Sequence, residues 1–233
     1  MIKFGFQSSK YNNLTLEQEL QFSDNNKIDF FDVFFDDYHP DDIKNVALPE
    51  TFTVHLPGGF AKFPQSEQLK YIDFINRCSP KTVTCHFCDF SLESLEFLCR
   101  NINNSKLCIE NTPPDWNENC SKNYLDFMKA ANELASQKGL KVYATFDTGH
   151  AKVAGHEPVS YLKQLIENEI DIFTVHLHDN DGIQDSHRPA GSVYNGINFA
   201  AILEILNSIN HDIYAVIEHW NNNYNALEYL KSL

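Results

Sequence analysis

Positive charge is scarce in this chain. Its 233 residues hold 18 Lys and Arg against 32 Asp and Glu, a formal charge of −14, and such a field repels a phosphate backbone unless metals or a local basic patch reverse it. Nucleic acid is therefore the disfavoured partner. Long apolar runs are missing as well. No stretch of about 18 apolar residues occurs, so no membrane-spanning helix and no membrane partner are expected. The N-terminal MIKFGFQSSKY lacks the apolar run of about 7–15 residues that a signal peptide needs. A soluble, cytoplasmic protein is the expectation. Paired metal-binding cysteines are absent too: Cys78, Cys85, Cys88, Cys99, Cys108 and Cys120 are scattered, and Cys85 and Cys88 form a CxxC without a second one. They read as core thiols rather than as a structural zinc site or a disulfide framework.

No Pro-, Gly- or Ser-rich linker, internal repeat, low-complexity tract or long charge run divides the sequence. Its length approaches the roughly 250 residues of one barrel, so residues 1–233 are read as a single domain. Short β-branched and aromatic runs alternate about eight times with stretches of helical periodicity, the pattern of βα units around a parallel sheet. Strands are predicted near 2–7, 29–35, 51–56, 82–87, 107–111, 141–147, 172–178 and 213–219. Helices are predicted near 14–25, 39–46, 66–78, 91–102, 119–138, 158–168, 198–209 and 222–232, the second being closer to a loop with one turn of helix. Ser91, with Glu93 and Ser94 behind it, opens the fourth helix, Gly139 stops the fifth, and Asn198 caps the seventh. The fold class is α/β, an eight-stranded parallel (β/α)8 TIM barrel.

Six of the eight strands end in a side chain able to hold a metal: His55 in TVHLP, His86 in TCHF, Glu110 in IENTP, Asp147 in FDTGH, His176 in VHLHD and Glu218 in IEHW. Strand side chains alternate with period two, so Thr53, Thr84, Cys108, Thr145, Thr174 and Val216 point the same way, into the barrel. All are small, as an interior layer requires. One strand-end histidine or carboxylate is ordinarily a hydrogen-bonded structural group or a cap. Three carboxylates and three imidazoles gathered at one barrel end repel one another and lose hydration unless cations neutralise them. The FDTGH motif adds His150 on the loop after the sixth strand, and HLHDNDGIQDSHRPAG adds His178, Asp179, Asp181, Asp185 and His187 after His176. Asp179, Asn180 and Asp181 before Gly182 read as a polar turn.

These residues resemble the xylose isomerase-like barrel superfamily, which contains sugar isomerases and epimerases, inosose dehydratase-like enzymes and endonuclease IV-type apurinic endonucleases. VHLHDNDGIQDSHRPAG carries the most specific likeness, supported by IENT, FDTGH and IEHW, and the likeness spans essentially the whole chain. It implies one Mn²⁺, Mg²⁺ or Co²⁺ ion held by Glu110, Asp147, His176 and Glu218, as in the sugar epimerases. In the endonuclease branch a cluster of up to three ions, zinc included, would also draw on His55, His86, His150, Asp185 and His187. The family's closing GxG appears here as Gly191-Ser-Val-Tyr-Asn-Gly196. The second predicted loop carries Asp36, Asp37, Asp41 and Asp42, where a DNA groove needs Lys or Arg.

The first reading is thus a divalent-metal-dependent isomerase or epimerase of carbohydrate metabolism, acting on a small sugar or polyol carbonyl compound by enediolate proton transfer. Glu110 and Glu218 exchange the proton, and His150 hydrogen-bonds a substrate hydroxyl. Phe6, Phe60, Trp116 and Trp220 are candidates to stack on the sugar. The second reading is a multi-metal phosphodiester hydrolase with His55, His86 and Glu110 on one ion, Asp147, His176 and Glu218 on the next, and His150, Asp185 and His187 on a third. The third is a non-catalytic metal-binding barrel. Assembly as a homo-oligomer stays open.

Overall fold

The structure, a computed structural model, describes residues 1–9, 13–89, 91–113, 123–137, 139–218 and 224–233. Eight strands run through it: β1 (Ile2–Gln7), β2 (Phe30–Phe34), β3 (Phe52–His55), β4 (Thr82–His86), β5 (Lys106–Glu110), β6 (Tyr143–Asp147), β7 (Ile172–Leu177) and β8 (Ile213–Ile217). They pair in parallel in chain order, and β8 returns to β1 to close the barrel. Between them lie α1 (Leu16–Asn25), α2 (Pro40–Ile43), α3 (Gln65–Cys78), α4 (Leu92–Asn101), α5 (Tyr124–Ser136), α6 (Thr148–Val153), α7 (Pro158–Glu167), α8 (Phe199–Asn207) and α9 (Tyr224–Lys231). No helix of the described residues is long and apolar enough to cross a membrane.

Local chemistry places several helix ends where the sequence predicts them. Ser91 accepts from the Ser94 amide, Asn198 from the Ala201 amide, and Gly139 takes the left-handed φ of +68° beyond α5. At α1, Thr15 and Gln18 exchange side chain to backbone bonds as a capping box. The second helix is the single turn α2. One element departs from the prediction: His150 lies in the six-residue helix α6, not on a loop. The Gly in TGH hides a helix, and the Asp147 carboxylate supplies what local propensity lacks by accepting from the His150 amide at 2.6 Å.

Outward-facing strand residues such as Val33, Val54, Val83, Ile109, Phe146 and Val175 bury themselves against Phe74, Leu98, Met128 and Leu162 of the helices. The barrel interior is layered. At its lower end Phe30, Tyr214 and Val216 form a small apolar plug, and the Phe30 ring fills the space a Cβ of Gly5 would occupy, 2.4–2.6 Å away. Above it lies a layer of threonines. Thr84 pairs with Thr145 at 2.8 Å, Thr174 donates to Thr82 at 3.0 Å, and Thr53 donates to Asp32 at 2.5 Å. The β-branched shape fills the barrel while the hydroxyls satisfy one another. The predicted inward residues Thr53, Thr84, Cys108, Thr145, Thr174 and Val216 are all buried. Cys85 and Cys88 are buried free thiols, and the Cys85 Sγ donates to the Cys108 carbonyl. Cys120 lies outside the described residues.

Candidate metal centre

Above the threonine layer the strand ends converge. His55, His86, Glu110 and Asp147 are the last residues of β3, β4, β5 and β6. His176 lies one residue before the end of β7, and Glu218 follows β8 directly. Asp147 does two things at once, since Oδ1 caps α6 while Oδ2 turns 3.7 Å from His176 Nδ1. The cap swings His150 back over the barrel mouth. Asp185 and His187 arrive on the long connection after β7, which Asp179 pins in place. Asp179 exchanges two backbone bonds with Arg188, and its carboxylate accepts from the Asn180 and Ile197 amides. The polar-turn reading holds for Asn180, which accepts from the Gly182 amide, and for Asp181, which accepts from the Ile183 and Gln184 amides, while the fully buried Asp179 serves to pin the connection. The altered 191–196 segment is docked by the same device: a Cβ at Gly196 would stand 2.2 Å from Asp179 Oδ2.

All nine residues singled out from the sequence fall, with His178, into four groups, three of which share residues, and within each group the potential ligand atoms lie within 4.8 Å of one another. In the first, Glu110, Asp147, His176 and Glu218, the His176 Nδ1 stands 2.8 Å from Glu110 Oε1 and 3.0 Å from Glu218 Oε2. In the second, His55 Nε2 and His86 Nε2 approach Glu110 Oε2 at 3.2 and 3.4 Å and each other at 3.2 Å. In the third, His150 Nε2 and His187 Nε2 face Asp185 Oδ2 at 3.2 and 3.0 Å. The fourth draws on His55, His176 and Glu218.

The donor set fits divalent ions. Both oxygens of Glu110, both ring nitrogens of His176, Glu218 Oε2 and Asp185 Oδ1 are buried without a hydrogen-bond partner, although several lie within 3.0 Å of an oppositely charged group. Close approach without hydrogen-bond geometry is the spacing of ligands around an ion, because donors at about 2.1 Å and right angles stand roughly 3 Å apart. In the ion-free protein, burial would raise the Glu110 and Glu218 pKa values, but the neighbouring imidazoles of His176 and His55 offset this and hold both well below the usual range. Burial likewise opposes the charged form of His176, and Glu218 and Glu110 more than reverse it. His187 is lifted to about 9 by its Asp185 bond and by Glu218, against the lowering effect of burial.

The second nitrogen of most histidines is already assigned, which fixes the tautomer that faces the centre. His150 Nδ1 donates to the Asn111 carbonyl at 2.9 Å and His187 Nδ1 to the Glu218 carbonyl at 3.2 Å, while His86 Nδ1 faces Asp89 at 3.4 Å. His187 holds this position at φ +40°, a left-handed conformation costing a non-glycine residue roughly 1–3 kcal/mol. Asn111 also clamps the Asp147 backbone, donating to its carbonyl at 2.9 Å and accepting from its amide at 2.8 Å. Gln7, Asp32, Asp89 and Asn111 were not singled out by the sequence. The strand-end criterion sought ionisable groups, so it passed over the amide of Gln7 at the end of β1 and the Asn of the IENT motif.

His178, noted in the sequence without a role, donates from Nε2 to Asp147 at 3.0–3.1 Å and stacks on the His187 ring at 4.0 Å. Its ring occupies the space beside Gly149, where a Cβ would meet it at 2.0–2.6 Å. Gly149→Ala is therefore expected to destabilise the protein by about 1–3 kcal/mol through overpacking and to weaken divalent-ion binding about tenfold by displacing Asp147. Thermal melts and ion titration read both effects. An unchanged melt together with unchanged affinity would show that the ring yields freely.

A cavity of about 720 Å³ opens above the centre, lined among others by Gln7, Phe34, His55, His86, His150, Asp185, His187 and Glu218. Phe6 and Phe60, expected as stacking surfaces, are instead buried in the outer core, because their positions face the helices. Among the described residues, Phe34 is the aromatic ring that reaches the cavity, 5.0 Å from the His55 ring. Trp116 and Trp220 lie outside the described residues. At the rim Asp36 accepts from the Gly58 amide and Asp89 from the Gly59 amide, and Lys62 is the cationic side chain among the described lining residues.

Solved structures share this architecture. A D-tagatose 3-epimerase-like protein superposes with a TM-score of 0.69 at 20% identity, covering 99% of this chain and 96% of that one. A putative xylose isomerase from Rhodospirillum rubrum does so at 0.67 and 11% identity, covering 100% and 97%. At these identities the likeness concerns the fold. In sequence, the uncharacterized protein MJ1311 of Methanocaldococcus jannaschii is 42% identical over 77 residues, which span 33% of this chain and 25% of that protein. The family described as xylose isomerase-like TIM barrel matches residues 53–233, a segment that contains all but the first residue of β3, the whole of β4 to β8 and every residue of the four groups, and the chain belongs to that family.

Proposed function

We propose that the chain is a divalent-metal-dependent isomerase or epimerase acting on a small sugar or related polyol carbonyl compound. The convergence of Glu110, Asp147, His176 and Glu218 beneath a cavity of about 720 Å³ carries this reading, since that volume suits a small ligand. Their three carboxylates and one imidazole suit Mn²⁺, Mg²⁺ or Co²⁺, whereas the imidazole-richer groups also suit Zn²⁺. When bound, the ion would polarise the substrate carbonyl and make the neighbouring C–H more acidic.

The remaining chemistry belongs to the chain. Glu218, on the cavity wall, takes the proton from the carbon beside the carbonyl, leaving an enediolate. Glu110, buried beneath, returns a proton that it first takes up from solvent, because the neighbouring imidazoles hold it ionised, and Glu218 then releases its own proton to solvent. Return to the same carbon from the opposite face inverts it, and return to the adjacent carbon, with the hydroxyl proton passing to the former carbonyl oxygen, moves the carbonyl. The two carboxylates stand on either side of His176 Nδ1, at 2.8 and 3.0 Å. His150 lines the cavity, with Nε2 as the atom that would meet a substrate hydroxyl.

A second reading, hydrolysis of a phosphodiester by several ions, is favoured by one observation: the groups around His55 and His86 and around Asp185 flank the first group and would be surplus to a single ion. Against it stands the cavity charge, where Asp36, Asp37 and Asp89 line the wall and Lys62 is the one Lys or Arg among the described lining residues, while a polyanion requires cationic contacts. Metal-loaded protein incubated in deuterated water with a panel of ketoses and aldoses is expected to exchange a substrate C–H proton. In parallel, an abasic-site duplex at about 0.15 M salt should stay uncut. Strand cleavage without exchange across the panel would reverse the ranking, and neither activity would favour a non-catalytic barrel.

A further inference from the structure

Gln7 ends β1, a strand with no ionisable ligand at its tip, yet its side chain enters the centre. Its Nε2 lies 3.0 Å from Glu218 Oε1, 3.4 Å from Asp32 Oδ2 and 3.3 Å from His55 Nδ1. An amide nitrogen carries two hydrogens, and the two carboxylate oxygens accept both. The reverse orientation would aim the amide oxygen at two carboxylates, so these two neighbours, against the one imidazole nitrogen of His55, assign the nitrogen to this end.

The file is set by barrel register. Gln7 is the register partner of Asp32, Asp32 is the partner of Thr53, and Glu218 follows Ile217, the partner of Phe6. Thr53 Oγ1 holds the other oxygen of Asp32 at 2.5 Å. Asp32 is buried and belongs to none of the four ligand groups, so its carboxylate is left with the work of anchoring the amide. At the far end the two oxygens of Glu218 are divided. Oε1 is tied to Gln7, while Oε2, buried and without a hydrogen-bond partner, aims at the ligand group 3.0 Å from His176 Nδ1.

We propose that Gln7, anchored through Asp32 and Thr53, is a positioning residue that keeps Glu218 on the metal centre through Oε2 alone and leaves the second lone pair of Oε1 turned to the cavity. This rests on the reading of Glu218 as ligand and base. Without the amide, the Glu218 carboxylate can rotate about its last bond and lose the division between its oxygens.

Titration of chelator-treated protein with Co²⁺ alone tests this, without needing the substrate. Gln7→Met keeps the volume and removes the amide, and Gln7→Asn keeps an amide one methylene too short to span both carboxylates. Each is expected to weaken Co²⁺ binding about tenfold, the lower end of the effect of removing a group that orients a metal ligand, and to alter the visible spectrum of the bound ion. In a Glu218→Ala background the same changes should alter affinity by less than about twofold, because the residue through which Gln7 acts is gone. Equal losses in both backgrounds would overturn the proposal and place the effect of Gln7 elsewhere, on His55 for instance. Unaltered affinity and spectrum in a folded Gln7→Met or Gln7→Asn protein would overturn it as well. Failure of the unsubstituted protein to bind Co²⁺ would instead remove the metal centre itself, and the proposal with it.

Discussion

Glu218→Gln is expected to lower the rate of substrate C–H exchange by about 10²–10⁴-fold, the usual contribution of a positioned general base, while the fold survives. The amide cannot accept a proton at neutral pH, so turnover falls even where the ion remains. Its ligand geometry suffers as well. Gln7 Nε2 donates to Oε1 at 3.0 Å, so a glutamine at 218 that offers its oxygen to the ion must turn its own NH₂ toward the NH₂ of Gln7. Two donors then face each other. Ion affinity should therefore drop by about tenfold, much less than the rate. Exchange rates measured at saturating metal separate the two effects. Near-native exchange there would remove Glu218 from the acid/base role and leave it a ligand only.

The second large effect concerns stability. Glu110, Asp147, Asp185 and Glu218 are gathered with His55, His86, His150, His176 and His187 at one barrel end, where unpaired buried charge is costly. An ion that binds the folded chain alone stabilises it by about 4 kcal/mol at a thousandfold excess over its dissociation constant. For a chain of this size each kcal/mol moves the melting temperature by about 2–4 °C, so chelation is expected to lower Tm by roughly 8–16 °C, restored by adding Mn²⁺, Co²⁺ or Zn²⁺. Asp147→Ala should show little of this shift, since it removes both a proposed ligand and the cap of α6. Scanning calorimetry with and without chelator measures it, and a chelator-insensitive Tm in protein shown to carry metal would contradict the stabilising role.

Much of the fold is legible in the sequence because its cues are local. The β-branched runs fall within a residue or two of the observed strands, and the caps at Ser91 and Asn198 hydrogen-bond as their residue types require. Helix α6 escapes this reading, since its start depends on a carboxylate that the sequence presents as a strand-end ligand. Phe6 and Phe60 mislead for the opposite reason: proximity to the barrel mouth in sequence says nothing about which side of the strand or turn an aromatic ring takes.

The sequence by itself determined that eight strands alternate with helices and that six of them end in metal-competent groups at a common level, because side-chain alternation and strand termini are properties of neighbouring residues. Only the tertiary structure decided how those groups divide. That Glu110 faces both His176 and the His55 and His86 pair, that Asn111 clamps Asp147, and that Gln7 reaches from Asp32 to Glu218 all depend on the register between strands and on β8 closing against β1. These contacts join residues as much as 211 positions apart. No local pattern specifies them, because the stagger of a closed barrel is fixed by the packing of all its strands together.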